Sequence, residues 1–135
     1  MRRFENYDQA FITPFQLYEA GVKFCISNSE SPFQTPHIRN LPYHAAKAAS
    51  YGLPWKEALR SITLSTAEIL GVDEKVGSLE IGKDATFIIA DGDILDVRTE
   101  VQMAFIQGRK IDLNDRHKML YDKYQTKYQQ KGILK

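Results

Sequence analysis

The sequence is short of nearly everything that would assign it a chemistry at first sight. It has one cysteine, Cys25, so it has no internal disulfide, and three histidines, His37, His44 and His117, spread over 81 positions. No Asp occurs between Asp8 and Asp73. No apolar run approaches the roughly 20 residues of a membrane span, and Met1-Arg2-Arg3 is followed by polar residues rather than a signal-peptide core. Charge of one sign is missing too: 18 Lys and Arg against 17 Asp and Glu give a formal +1. That balance favours neither nucleic acid nor a membrane surface as partner. The expectation is a soluble chain of unassigned compartment. At 135 residues and 43% hydrophobic content it suits one domain. It is too short for a whole (β/α)8 barrel, which takes roughly 200 residues or more.

What is present is a well-punctuated order of helices and strands. Gln9 to Ala20 carries Phe11, Ile12, Phe15 and Tyr18 near helical spacing, with Pro14 placing the start near Thr13 and Gly21 the stop. Val22 to Ile26 has the length of a strand, and Ser27 to Arg39, with Pro32 and Pro36, reads as an irregular loop leaving its carboxyl end. Asn40 is an N-cap candidate for a helix over Pro42 to Tyr51 that Gly52 ends, its alanines suited to close packing. Pro54 opens a second helix with Trp55, Ala58, Leu59 and Ile62 on one stripe. Ser65 and Glu68 have capping-box spacing for a third, closed by Gly71.

Val76 to Leu79 and Ala85 to Ala90 then read as two strands of a hairpin around Glu80 to Asp84, rich in turn formers. Gly92 to Thr99 is loop-like and Val101 to Ile106 a further strand. Gln107-Gly108-Arg109-Lys110 is a tight turn in which Gly108 supplies positive φ. From Leu113 or Asn114 a terminal helix sets Leu120, Tyr121, Tyr124 and Tyr128 on one face among Lys118, Lys123, Lys127 and Lys131. Basic residues with interleaved tyrosines suit nucleic acid. The helical spacing instead favours an amphipathic helix with a solvated basic face.

Taken together, Ala58-Leu59-Arg60-Ser61-Ile62-Thr63, Ala67-Glu68-Ile69-Leu70-Gly71, the Val76 to Asp91 stretch and Val101 to Ile111 resemble the C-terminal portion of the amidohydrolase superfamily, the metal-dependent hydrolases that include imidazolonepropionases and dihydroorotases. The resemblance covers roughly Glu19 to Arg109. It implies an α+β fragment in three parts. Residues 1–73 would be the end of a (β/α)8 barrel, with Val22 to Ile26 as its eighth strand and Leu41 to Leu70 as closing helices. Residues 74–112 would be strands of a composite β-sandwich, and 113–135 an amphipathic helix.

The resemblance also implies site residues. The family's catalytic aspartate lies just beyond the eighth strand, and gapless alignment puts Ser29 there, with Glu30 as a displaced substitute. A one-residue step on an extended segment turns the side chain to the opposite face. The metal ligands of the family, a His-x-His pair, a lysine and further histidines, come from earlier strands. Neither His37, His44 and His117 as a zinc set nor Ser29 with His37 as nucleophile and base has a supporting motif. The expectation is therefore no metal or other cofactor in this chain, a zinc-like divalent ion only in a complete and active parent, and hydrolysis of a non-peptide C–N bond of a small cyclic amide by that parent. The alternative is a non-catalytic interaction or scaffold module descended from such an enzyme. The implied partners are further copies of the chain or the N-terminal part of the parent, with no nucleic acid and no membrane.

Overall fold

A computed structural model describes residues 4, 6–28 and 35–133. The elements in order are helix α1 (Gln9–Glu19), a 3-10 turn (Thr35–Asn40), helices α2 (Leu41–Ser50), α3 (Trp55–Ser61) and α4 (Leu64–Leu70), strands β1 (Phe87–Ala90), β2 (Val101–Ile106) and β3 (Arg109–Ile111), and helix α5 (Arg116–Gln130). The chain is thus mixed α and β, with helices first and a small antiparallel sheet after them. No helix among the described residues is long and apolar enough to cross a membrane.

Small side chains set the helical packing. Ala45 and Ala48 on α2 face Ala58 on α3, all three almost fully buried, and Leu53 in the connection fills the space beside them. Alanine at these positions lets the helix axes approach, and the larger partly buried Phe15, Phe24, Ile26 and Ile62 close the periphery. Leu95, from the loop between β1 and β2, completes this core. Helix α1 ends as Gly21 requires: at φ +68° its N–H reaches the Tyr18 carbonyl, and the Val22 N–H reaches that of Leu17 at 2.9 Å.

The start of α1 lies four residues before the position expected from Pro14. The Asp8 carbonyl accepts the N–H groups of Phe11 and Ile12, so the first turn forms ahead of the proline. The helix absorbs Pro14 by leaving one carbonyl without its usual donor. Val22 to Ile26, expected as a strand, forms none. A barrel strand takes its ladder from neighbours on both sides, and among the described residues none flanks it; beyond the Val22 bond that ends α1, its backbone is tied to α3 by the Ile26 N–H to the Ser61 carbonyl at 3.1 Å. The 3-10 turn occupies part of the stretch expected to be irregular.

The capping box expected at α4 is also absent. Thr63 is the N-cap, Ser65 lies inside the helix and is buried, and Glu68 turns to two cations instead. In place of a Val76 to Leu79 strand, Gly77 folds against α4. At φ +99° it sits where an added Cβ would lie 2.7 Å from Cβ of Ala67. Contact with α4 has displaced strand pairing there, and the partner of β1 is β2.

The three strands run in the order β1-β2-β3. Phe87 faces Phe105 across the ladder, their rings stacked 4.8 Å apart, and the register slips between Ile89 and Ala90. The β2–β3 turn forms as expected: Gln107 at φ 51° and Gly108 at φ 76° give two successive left-handed residues, the geometry that matches strand twist. Helix α5 begins at Arg116, later than expected, because Asp115 caps it: Oδ1 accepts the N–H groups of His117 at 2.7 Å and Lys118 at 3.0 Å. These two hydrogen bonds hold the Asp115 carboxyl below its ordinary pKa, the Lys118 N–H contributing most and desolvation opposing. Among the described residues α5 packs against no other helix or strand.

Candidate functional site

Ser29 and Glu30, the positions aligned with the family aspartate, lie outside the described residues. The segment that leads to them does not. Beside Ile26, Ser27 and Asn28 lies a concavity of about 370 Å³, walled by α1 through Phe11 and Pro14 and by α2 through His44 and Lys47. Asn28 is held in place by its own side chain, whose Nδ2 donates to the His37 carbonyl at 3.1 Å. Lys47 extends over the Phe11 ring, its Nζ 3.8 Å from the centroid, a cation–π contact that fixes an otherwise mobile side chain.

Of the three histidines, the structure brings only His44 to this concavity. His37 belongs to the 3-10 turn and approaches through its backbone, while His117 lies on α5. Lys47 escaped the sequence reading. Its spacing of three from His44 on one helix face was the available signal.

The other charged groups are committed to structure. Glu68 lies between Lys23, 3.0 Å from its Oε2, and Arg60, which donates to its Oε1. Oε2 makes a charge contact without hydrogen-bond alignment. Lys23 lowers the Glu68 pKa most, desolvation acts against it, and Arg60 lowers it further. Together with the Ile26–Ser61 bond, this trio ties the extended segment to α3 and α4.

In the β1–β2 loop, Asp93 accepts from Trp55 Nε1 at 2.7 Å and from the Leu95 N–H at 2.9 Å. Asp91 accepts from the Glu100 N–H. Asp96 accepts from the Arg98 side chain and N–H, which pull its pKa down to about 2. Among the described residues no three His, Cys, Asp or Glu side chains converge as a metal would require. The histidines sit on separate elements and these loop carboxylates are engaged in turns, so the described donor set does not fit a divalent ion.

A second, larger groove of about 830 Å³ separates α3 and α4 from β1. Leu59, Ile62, Val76, Phe87 and Ile88 contribute apolar walls, and Asp93 is the one charged residue lining it. Among its hydroxyls, that of Ser78 donates to Glu80 Oε1 and accepts from Lys83 Nζ, both at 2.6 Å and both with residues outside the lining.

The comparisons with known proteins agree with this layout. The sequence profile of the Amidohydrolase family matches residues 12–113. An imidazolonepropionase from Shewanella sp. (strain ANA-3) is 32% identical over 92 residues, which are 68% of this chain and 21% of that protein. Amidohydrolase tasK from Hapsidospora irregularis is 30% identical over 92 residues, 68% of this chain and 9% of that protein. Among solved structures, an amidohydrolase from Thermotoga maritima MSB8 superposes with a TM-score of 0.71 at 28% identity, over 82% of this chain and 28% of that one. The chain therefore spans about a fifth of the length of the imidazolonepropionase it matches. From α1 to the end of the sheet the family's pattern runs through the sequence, and the chain belongs to the amidohydrolase family.

Proposed function

We propose that these residues are the C-terminal part of a metal-dependent hydrolase acting on a non-peptide C–N bond of a small cyclic amide or related molecule, and that by themselves they catalyse no hydrolysis. The observation that carries this reading is the pairing of a family match over residues 12–113 with a span of only 21% of a relative named for its imidazolone substrate. In such a parent, Val22 to Ile26 would be the last barrel strand, residues 41–70 would close the barrel after it, residues 76–111 would add strands to a composite sandwich, and a zinc-like ion would be held by residues outside this chain. Position 29 would face the reacting centre. The concavity at Asn28, His44 and Lys47 supports this, since it opens where the chain heads toward that position.

A catalytic aspartate in this family serves as a proton carrier, anionic at neutral pH yet readily protonated. Ser29 lacks that capacity, and Glu30 has it one residue out of place. This substitution favours a second reading, a scaffold module that retains the family's fold without its chemistry.

Two measurements test the proposal. The purified chain, with zinc supplied, is expected to leave hydantoin-like and dihydroorotate-like substrates intact and to retain no stoichiometric zinc after dialysis. Turnover by the isolated chain that Glu30→Gln abolishes, or one tightly held zinc per chain, overturns it. In a complete parent, Ser29→Asp is expected to raise hydrolysis; an unchanged, absent activity selects the scaffold reading.

A further inference from the structure

Helix α5 has an aromatic face and, among the described residues, packs against no other helix or strand. Tyr121, Tyr124 and Tyr128 are 65%, 45% and 39% exposed, and the last two stack on each other at 6.3 Å. The family match stops at residue 113, so α5 lies beyond the matched stretch. On the same molecule, the groove between α3–α4 and β1 is apolar, and Ile88 on its wall is half exposed. We propose that α5 of one copy lays its tyrosine face in this groove of a second copy, and that the exchange is reciprocal.

Three observations favour a second copy as the occupant. The first is charge. Of the 18 Lys and Arg, six lie in residues 115–135, against two of the 17 Asp and Glu. The terminal segment is therefore +4 and the remainder −3, and the charged residue in the groove, Asp93, has the sign that complements α5.

The second is topology. The groove is walled by β1, whereas α5 follows β3, the opposite edge of the sheet, after only Asp112 to Asp115. A helix leaving from the far edge meets another molecule's groove more directly than its own.

The third is area. Taking about 200 Å² for a fully exposed aromatic side chain, the three rings still offer about 300 Å² per helix. Exchanged twice and matched by the groove walls, this removes about 1,200 Å², the lower end of a stable specific interface.

Sedimentation velocity of the whole chain at micromolar concentration tests the proposal, with emission of the single tryptophan, Trp55, as the local probe because it lines the groove. The wild-type chain is expected to dimerise, with Trp55 emission shifting to the blue as dimer forms. Tyr124→Lys on the helix and Ile88→Lys in the groove both alter exposed side chains and spare the core. Each is expected to raise the dimer dissociation constant at least tenfold and to remove the concentration dependence of Trp55. Lys127→Glu is expected to weaken the dimer less, and by an amount that added salt reduces.

A monomer at every concentration overturns the proposal, including one whose Trp55 emission responds to Tyr124→Lys because α5 folds back on its own groove. A dimer weakened by Tyr124→Lys and untouched by Ile88→Lys also overturns it, since the helix then docks elsewhere. None of these readouts involves turnover, so the proposal stands or falls apart from the hydrolase reading.

Discussion

Residues 9–71 bury Ala45, Ala48, Leu53, Ala58, Ser61, Ser65 and Ala67 between four short helices, whereas across the described residues from Ala85 to Gln130 Leu95 alone is buried. The two halves have similar shares of apolar residues, and the difference lies in what each can reach. Helices with alanine contacts close a core from local sequence. Strands of three to six residues leave both faces to be covered by something else, and a lone three-stranded sheet is marginal in water. Leu95 makes the same point from the other side: it is buried because its loop reaches the helical core, anchored by the Trp55–Asp93 hydrogen bond. One chain thus holds a half that closes its own core beside a half that leaves its faces open.

The sharpest way to break this comparison is to damage the half that closes itself. Leu53→Ala is expected to destabilise the chain by about 2–5 kcal/mol, enough to unfold much of it at room temperature, as chemical denaturation followed by circular dichroism would record. A loss under 1 kcal/mol would show that the helices do not depend on this core.

Next comes the joint between α4 and the stretch before β1. Gly77→Ala is expected to cost about 2 kcal/mol, because the new methyl meets the Ala67 side chain and the Leu64 backbone and the residue must still hold φ +99°. The same denaturation experiment checks it, with Gly82→Ala as a reference. That position also has positive φ but has open space around it, so its loss is expected to be smaller.

The cap of α5 gives a smaller, pH-dependent effect. The Asp115 carboxylate has a lowered pKa in the folded state, so its contribution is complete above its free value of about 3.9 and is lost as the pH falls through the lowered value. Helical signal in an acid titration is expected to fall in that window. Asp115→Asn, which caps without titrating, is expected to remove this part of the pH dependence while keeping the helix.

How much was legible follows the same divide. Helices α2 and α3 announced themselves through Pro42, Gly52 and Pro54, local signals that act within a turn of where they stand, while Asn40 takes the N-cap position without a side-chain capping hydrogen bond. The turn at Gln107-Gly108 was legible for the same reason. Val22 to Ile26 looked like a strand because its residues suit one, yet strand formation needs neighbours that no window of sequence supplies. Val76 to Leu79 was misread because Gly77 was placed within a strand, when its missing side chain makes room for Ala67, a contact ten residues away. Glu68 was read as a helix cap and serves instead as an anchor for Lys23 and Arg60, 45 and eight positions distant. Of the candidate site, the sequence indicated positions 29 and 30 through family resemblance. Lys47 and Asn28 became visible only when α1 and α2 were placed against the segment.

The measurement that tests the contrast most directly is amide hydrogen exchange of the intact chain in dilute solution, below the concentration at which copies associate. Slow exchange confined to α2, α3 and α4, with β1 to β3 and α5 exchanging orders of magnitude faster, is the result this account predicts. Equal protection of the sheet and the helices would contradict it, showing that the strands have closed a core of their own.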